Sequence, residues 1–274
     1  MSDLPPFHGA IIDAIMGHAG RATLPFQQAN RAEQHATAFW FNELVEETDE
    51  GSVIRQYLVT AGGRTRYDIA EFTLRPKLCA PAMSAGKLAM TGFAEGWIHL
   101  GDLGVAVMPD TALYEHAARK GWSWTTDEVT DGVAATEEDI AALDGTPVPA
   151  YLLGHVDDDG NGAREQAVVV GEIVRTDEDG VRWVGTLPRG CVGAPVFIGA
   201  GLGENSFKLV CVGVALPGEG PHPIATFDRI RTALLTLAPE RRDLAPVVTI
   251  TATAAAVPES GSVEPKRRWW RRRG

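Results

Sequence analysis

What most constrains this chain is a change of hydrophobic period. Gly9–Ala19 places Ile11, Ile12, Ile15 and Met16 on one helical face. From there apolar residues recur every second position. One set of such segments covers His35–Asn42, Val53–Ala61, Asp68–Arg75, Gly86–Phe93, Gly96–Leu100 and Gly104–Pro109. A second covers Val148–Val156, Glu165–Arg175, Val181–Leu187, Ala194–Gly199, Lys208–Leu216 and His222–Phe227. Each is short, rich in β-branched and aromatic residues, and bounded by Gly, Asp, Glu or Pro. Period two cannot bury one face of a helix, so the chain is expected to be all-β. Two sets of six predict two six-stranded antiparallel barrels, with short N-terminal and C-terminal helices.

This pattern divides the chain. Residues 1–32 form a helical lead-in, 33–120 the first barrel ending in a helix at Thr111–Lys120, and 121–147 an acidic connector. Residues 148–238 form the second barrel, closed by a helix on which Phe227, Ile230, Leu234 and Leu237 share a face. Residues 239–265 read as a strand and a flexible linker, and 266–274 as a basic tail. Gly121 to Ala163 contains no Lys or Arg, and Thr136-Glu137-Glu138-Asp139 is a capping signal before a short helical turn.

Charge narrows the partners. The net charge is −11, yet Lys266, Arg267, Arg268, Arg271, Arg272 and Arg273 lie in the last nine residues, leaving −17 on the rest. So acidic a body repels nucleic acid and anionic lipid, and affinity for either would reside in the tail. There, Arg267, Arg268 and Arg271 surround Trp269 and Trp270, a composition suited to an anionic membrane, nucleic-acid phosphate or the chain's own acids. Cys79, Cys191 and Cys211 are too scattered for a disulfide framework or a zinc site. Asp157-Asp158-Asp159-Gly160-Asn161-Gly162 imitates half a calcium loop, but Val168 stands where its bidentate Glu belongs, so no metal and no cofactor are expected. The first residues lack the basic start and apolar run of a secretory signal, so the expected location is cytoplasmic, with membrane association through the tail.

One loop carries the chemistry. In Leu187-Pro188-Arg189-Gly190-Cys191-Val192-Gly193-Ala194-Pro195, glycines flank a position from which a side chain and backbone N–H groups would face a reacting carbonyl. This loop resembles the Gly-x-Ser-Gly-x-Pro nucleophile loop of trypsin-like serine proteases, with Val192 in place of the serine. Tyr57-Leu58-Val59-Thr60-Ala61-Gly62-Gly63 resembles the strand that delivers the catalytic histidine, with Gly63 at the histidine position. The acid's strand resembles Asp102-Leu103-Gly104-Val105-Ala106-Val107-Met108-Pro109, with Gly104 or Asp102 at the acid position; the better register favours Gly104. The resemblance covers roughly residues 33–238 and implies the two-barrel fold.

It also implies a degenerate triad. Valine has no lone pair and glycine no side chain, so neither nucleophilic attack nor base catalysis is expected. Gly190, Cys191, Val192 and Gly193 would keep the oxyanion-like frame, and Val212, Gly213 and Val214 would offer backbone to an extended peptide. The expected function is an inactive pseudoprotease that binds peptides or proteins. Two alternatives are a peptidase using Cys191 and an adaptor tethered to membrane or nucleic acid by its tail. Cys191 stands one position early and lacks a base, which favours a structural role for it.

Overall fold

A computed structural model describes residues 7–31, 35–49, 51–83, 86–157, 164–176, 180–203, 206–237, 244–245 and 247–251. The basic tail, most of the linker and the half-calcium-loop residues 158–162 lie outside the described residues. The first half holds α1 (His8–Ala19), β1 (Thr23–Gln28), β2 (His35–Thr48), β3 (Gly51–Ala61), β4 (Ile69–Thr73), β5 (Cys79–Ala80), β6 (Lys87–Thr91), β7 (Ile98–His99), β8 (Val105–Pro109) and α2 (Thr111–Arg119). Between the halves come β9 (Ser123–Trp124), β10 (Val129–Thr130) and α3 (Glu137–Ala141). The second half holds β11 (Val148–Val156), β12 (Glu165–Thr176), β13 (Gly180–Val184), β14 (Pro195–Gly203), β15 (Ser206–Ala215), β16 (His222–Thr226) and α4 (Phe227–Leu235), followed by β17 (Val247–Thr251).

The chain is all-β with few short helices, as its periodicity predicts. Its second half is a closed barrel in the order β11-β12-β13-β16-β15-β14, that is, first, second, third, sixth, fifth, fourth. The first sheet runs β6-β4-β1-β2-β3-β8-β7. Taking β1, β2, β3, β4, β6 and β8 as its six main strands, this is the same ring opened between the fifth and the sixth. Side chains bridge the opening: Leu88, Phe93, Trp97 and Met108 share one buried cluster, with the Phe93 and Trp97 rings 5.5 Å apart. Two curled sheets of matching strand order are consistent with a trypsin-like double barrel, although no internal sequence repeat betrays the duplication.

The first barrel begins earlier than its sequence suggests. Residues 1–32 are not only helical, because β1 pairs with β2 and β4 at the centre of the sheet. Thr23-Leu24-Pro25-Phe26-Gln27-Gln28 conceals this with a proline and two amides. Pro25 faces Thr37 of β2, and the β4 pairing starts only at Phe26, so the missing N–H interrupts no β4 bond.

Three strands are buried on both faces. Ala36, Ala38, Trp40, Leu58, Ala106 and Met108 fill the first barrel, while Phe39, Phe41, Tyr57, Val59, Val105 and Val107 point outward into the core shared with the second barrel. There Phe227 of α4 packs on Phe41 at 4.9 Å and on Phe39 at 6.2 Å. Alternation survives as two apolar faces meeting two different cores.

The acidic connector is folded structure held by cations from both halves. Asp127 bonds Arg21 at 2.6 Å, Asp139 bonds Lys208 at 2.9 Å, and Asp131 pairs with Arg231, which also donates to the carbonyls of Ala134 and Ala135. Its β10 runs parallel to β2, and α3 starts with the expected capping box between Thr136 and Asp139. The strand expected beyond residue 238 is β17, antiparallel to β3.

Candidate functional site

Gly190 and Val192 are hydrogen-bonded to the first barrel through Thr37 of β2. The Thr37 N–H donates to the Val192 carbonyl at 3.0 Å, and its hydroxyl donates to the Gly190 carbonyl at 2.6 Å. Thr60 of β3 in turn donates its hydroxyl to the Thr37 carbonyl at 2.7 Å. Both threonines are fully buried. Two hydroxyls inside apolar strands need partners there, and the carbonyls of Gly190 and Thr37 supply them.

The loop's own backbone is turned inward. Arg189–Cys191 forms a 3-10 turn in which the Val192 N–H donates to the Arg189 carbonyl at 3.3 Å and the Cys191 N–H to Pro188 at 2.8 Å. The N–H at the nucleophile position is therefore spent on an internal bond, rather than aimed at a developing oxyanion. The Val192 side chain is only 4% exposed. Gly193 has φ +85°, and its N–H donates to Ala215 at 2.8 Å, tying the loop to β15.

Position 63 is exposed, and a side chain there would meet open space. Nothing in the packing forbids a larger residue; the base position is simply empty of chemistry. His99 stands beside the same turn, its Nδ1 3.0 Å from where a Gly62 Cβ would lie and its Nε2 3.3 Å from the Thr65 hydroxyl. Burial, and then Arg66, push the His99 pKa down.

Of the two candidates for the acid position, Gly104 lies beside the Gly62 turn. The Gly62 N–H donates to the Gly104 carbonyl at 2.7 Å, and a Cβ on Gly104 would touch Leu216, the residue after β15, at 3.1 Å. Asp102 is exposed and lines a groove beside α4. The two candidate registers thus lead to different surfaces.

The structure corrects the expected peptide edge. Val214 and Gly213 of β15 pair with Pro195 and Val196 on one side and with Ala225 and Thr226 on the other. Val212, Gly213 and Val214 are all buried, and no backbone edge is left at Gly213 and Val214 for an added strand; Val212 falls at a register shift against β14. The barrel closes there because β16 returns to β15, a pairing that the local sequence does not announce.

Cys191 lies beneath the loop, against β11, where a Cβ on Gly154 would stand 2.6 Å from its sulfur. Burial pushes the thiol up to about 12, with a backbone hydrogen bond at His155 opposing. A thiol so placed is a packed side chain. Iodoacetamide is expected to modify Cys191 in the native protein at least about 100-fold more slowly than after unfolding, and equal rates would refute this placement. Cys79 and Cys211 are also free and buried.

Beside the loop, a buried polar seam joins the barrels. His155 Nε2 and the Thr23 hydroxyl are 3.0 Å apart, Gln166 donates to the same hydroxyl at 2.8 Å, and Arg75 donates to Gln166 at 2.9 Å and to the Thr23 carbonyl at 2.7 Å. Burial, and then the charge of Arg75, push His155 down to about 3, so its ring is neutral. These residues escaped sequence reading, though a lone His in an apolar strand, as His155 is in β11, is a signal for a seam of this kind. Among the described residues no group of three His, Cys, Asp or Glu is placed to hold a metal, and no helix is long and apolar enough to cross a membrane.

No family model and no curated protein matches the chain. A solved structure of a thermostable serine protease, AL20, from an extremophilic microorganism is similar with a TM-score of 0.40 and 12% sequence identity, over 79% of this chain and 95% of that one.

Proposed function

We propose that this protein is a catalytically inactive pseudoprotease that acts by binding peptides or proteins. The observation that carries the reading is Val192: an apolar, 4% exposed side chain at the nucleophile position, whose N–H closes onto Arg189. Support also comes from Gly63 and Gly104, which leave the base and acid positions without a titratable group. The buried, un-ionised Cys191 speaks against its use as a substitute nucleophile. With Gly213 and Val214 paired on both sides, binding falls to surfaces other than the backbone of those two residues.

The test is direct. Purified protein is expected to show no turnover of casein and no labelling by a fluorophosphonate, and labelling of any loop residue would sink the proposal. Installing histidine and serine together, as Gly63→His with Val192→Ser, is expected to leave proteolysis at the uncatalysed level. The variant would still lack an acid at Gly104 and an outward N–H at residue 192, and triad members act as a unit. Restored turnover above about tenfold over the parent would show that the frame is intact.

A further inference from the structure

A groove of about 1110 Å³ lies between the 101–103 turn, the folded acidic connector and α4, with His99 also on its lining. Its apolar walls include Leu44, Leu235 and Leu237, and Leu44 and Leu235 are 39% and 65% exposed. Apolar surface left open in a groove is where an aromatic side chain gains most by docking.

The charge of the groove is uneven. Arg231 is neutralised by Asp131, leaving Arg229 against Asp102, Glu137 and Asp228. One carboxylate oxygen of Asp228, Oδ1, is shielded from solvent and has no hydrogen-bond partner among the described residues. Leucine walls and surplus carboxylates together select a cationic aromatic occupant.

The chain itself contains such a segment close by. β17 pairs with β3 so that Val248 faces Ile54, and Ile54 faces Leu44 of the groove wall. Two strand spacings, about 10 Å, therefore separate β17 from the groove. Between Thr251 and Lys266 lie 14 residues, enough to span roughly 45 Å. Beyond them come Lys266, Arg267, Arg268, Trp269, Trp270, Arg271, Arg272 and Arg273. We infer that this tail occupies the groove of its own chain, with Trp269 and Trp270 against the leucines and its cations facing Asp102, Glu137 and Asp228. A tether of this length holds the tail at millimolar effective concentration, so even weak contacts keep it bound. In this state the tail is withheld from membranes and nucleic acid.

Zero-length carbodiimide coupling in the full chain tests this, because Lys266 is the only amine in the tail. Lys266 is expected to couple to Asp102, Glu137 or Asp228, with a yield unchanged over an approximately hundredfold dilution. The yield should fall about fivefold in about 0.5 M salt. Asp228→Asn and the exposed Glu137→Gln should each lower the total yield at the remaining groove acids, and two separate sites guard against one variant that misfolds. Coupling mainly to acids elsewhere would overturn the inference. Products lost on dilution would assign the groove to a second copy and overturn it as well. Equal binding of phosphatidylglycerol vesicles by the full chain and by a free peptide of residues 265–274 would mean that the tail is not withheld, and would overturn it too.

Discussion

Gly193→Ala is expected to cost about 3–6 kcal/mol, a large share of the roughly 5–15 kcal/mol that stabilises an ordinary domain. At φ +85° an L-residue is strained before any contact is considered. The added methyl would also overlap the Thr60 hydroxyl and the Thr37 carbonyl and stand 2.9 Å from the Ala61 nitrogen. None of these is the flexible end of a long side chain: two are backbone atoms, and the hydroxyl is held in the Thr60–Thr37 bond. The loop must lift, and the Thr37 bonds to Val192 and Gly190 lift with it. Denaturant unfolding should show a lower midpoint, and wild-type stability in the variant would mean that the loop is not clamped between β2 and β3. This glycine makes room for Thr37 and Thr60.

A second large effect is expected at Asp110, the residue before α2. It is fully buried, it makes no side-chain cap bond, and neither carboxylate oxygen has a hydrogen-bond partner among the described residues. Burial pushes its pKa up to about 7 from 3.8, opposed by its own backbone N–H, which lies near without making a full hydrogen bond, and the Glu128 charge adds to the rise. Glu128 is itself pushed up, first by burial, and Tyr114 is pushed to about 12 by burial and by the Asp110 charge.

The sign follows from proton binding. Between about pH 4 and pH 7 the folded state keeps a proton that the unfolded state releases, so raising the pH through this window removes stability. His155 works in the opposite direction: its pKa is depressed to about 3, so it adds stability as the pH rises toward its unfolded value near 6.5. The windows overlap, and the parent's profile is flattened by cancellation. Comparing Asp110→Asn with the parent isolates one contribution. The variant should gain on the parent as the pH rises from about 4 to about 7, by up to roughly 4 kcal/mol, and by nothing further above that. A difference between variant and parent that does not change with pH would dismiss the buried acid.

Much of the architecture was legible because strand periodicity is a local property. The six segments of the second half coincide with β11 to β16 to within a few residues, and the turn glycines and prolines mark their ends. β1 was not legible, since proline and two glutamines replaced the alternating pattern. At the loop and the turn, residue identities were legible by themselves: Gly63 has no side chain and Val192 no lone pair in any fold.

The remaining features depend on which surfaces meet. Alternation tells which residues share a face of a strand, but not which neighbour covers that face. Thr37 and Gly190 are 153 residues apart, and only the docking of two sheets brings a buried hydroxyl to that carbonyl. The same docking put Gly104, rather than Asp102, beside the Gly62 turn, and the return of β16 removed the edge at Gly213 and Val214. What the amino-acid sequence determined by itself was an all-β chain with glycine at position 63 and valine at position 192. The tertiary structure decided that the loop closes inward on Thr37 and that Asp102 faces a second groove, because burial and backbone pairing are set by contacts between distant segments.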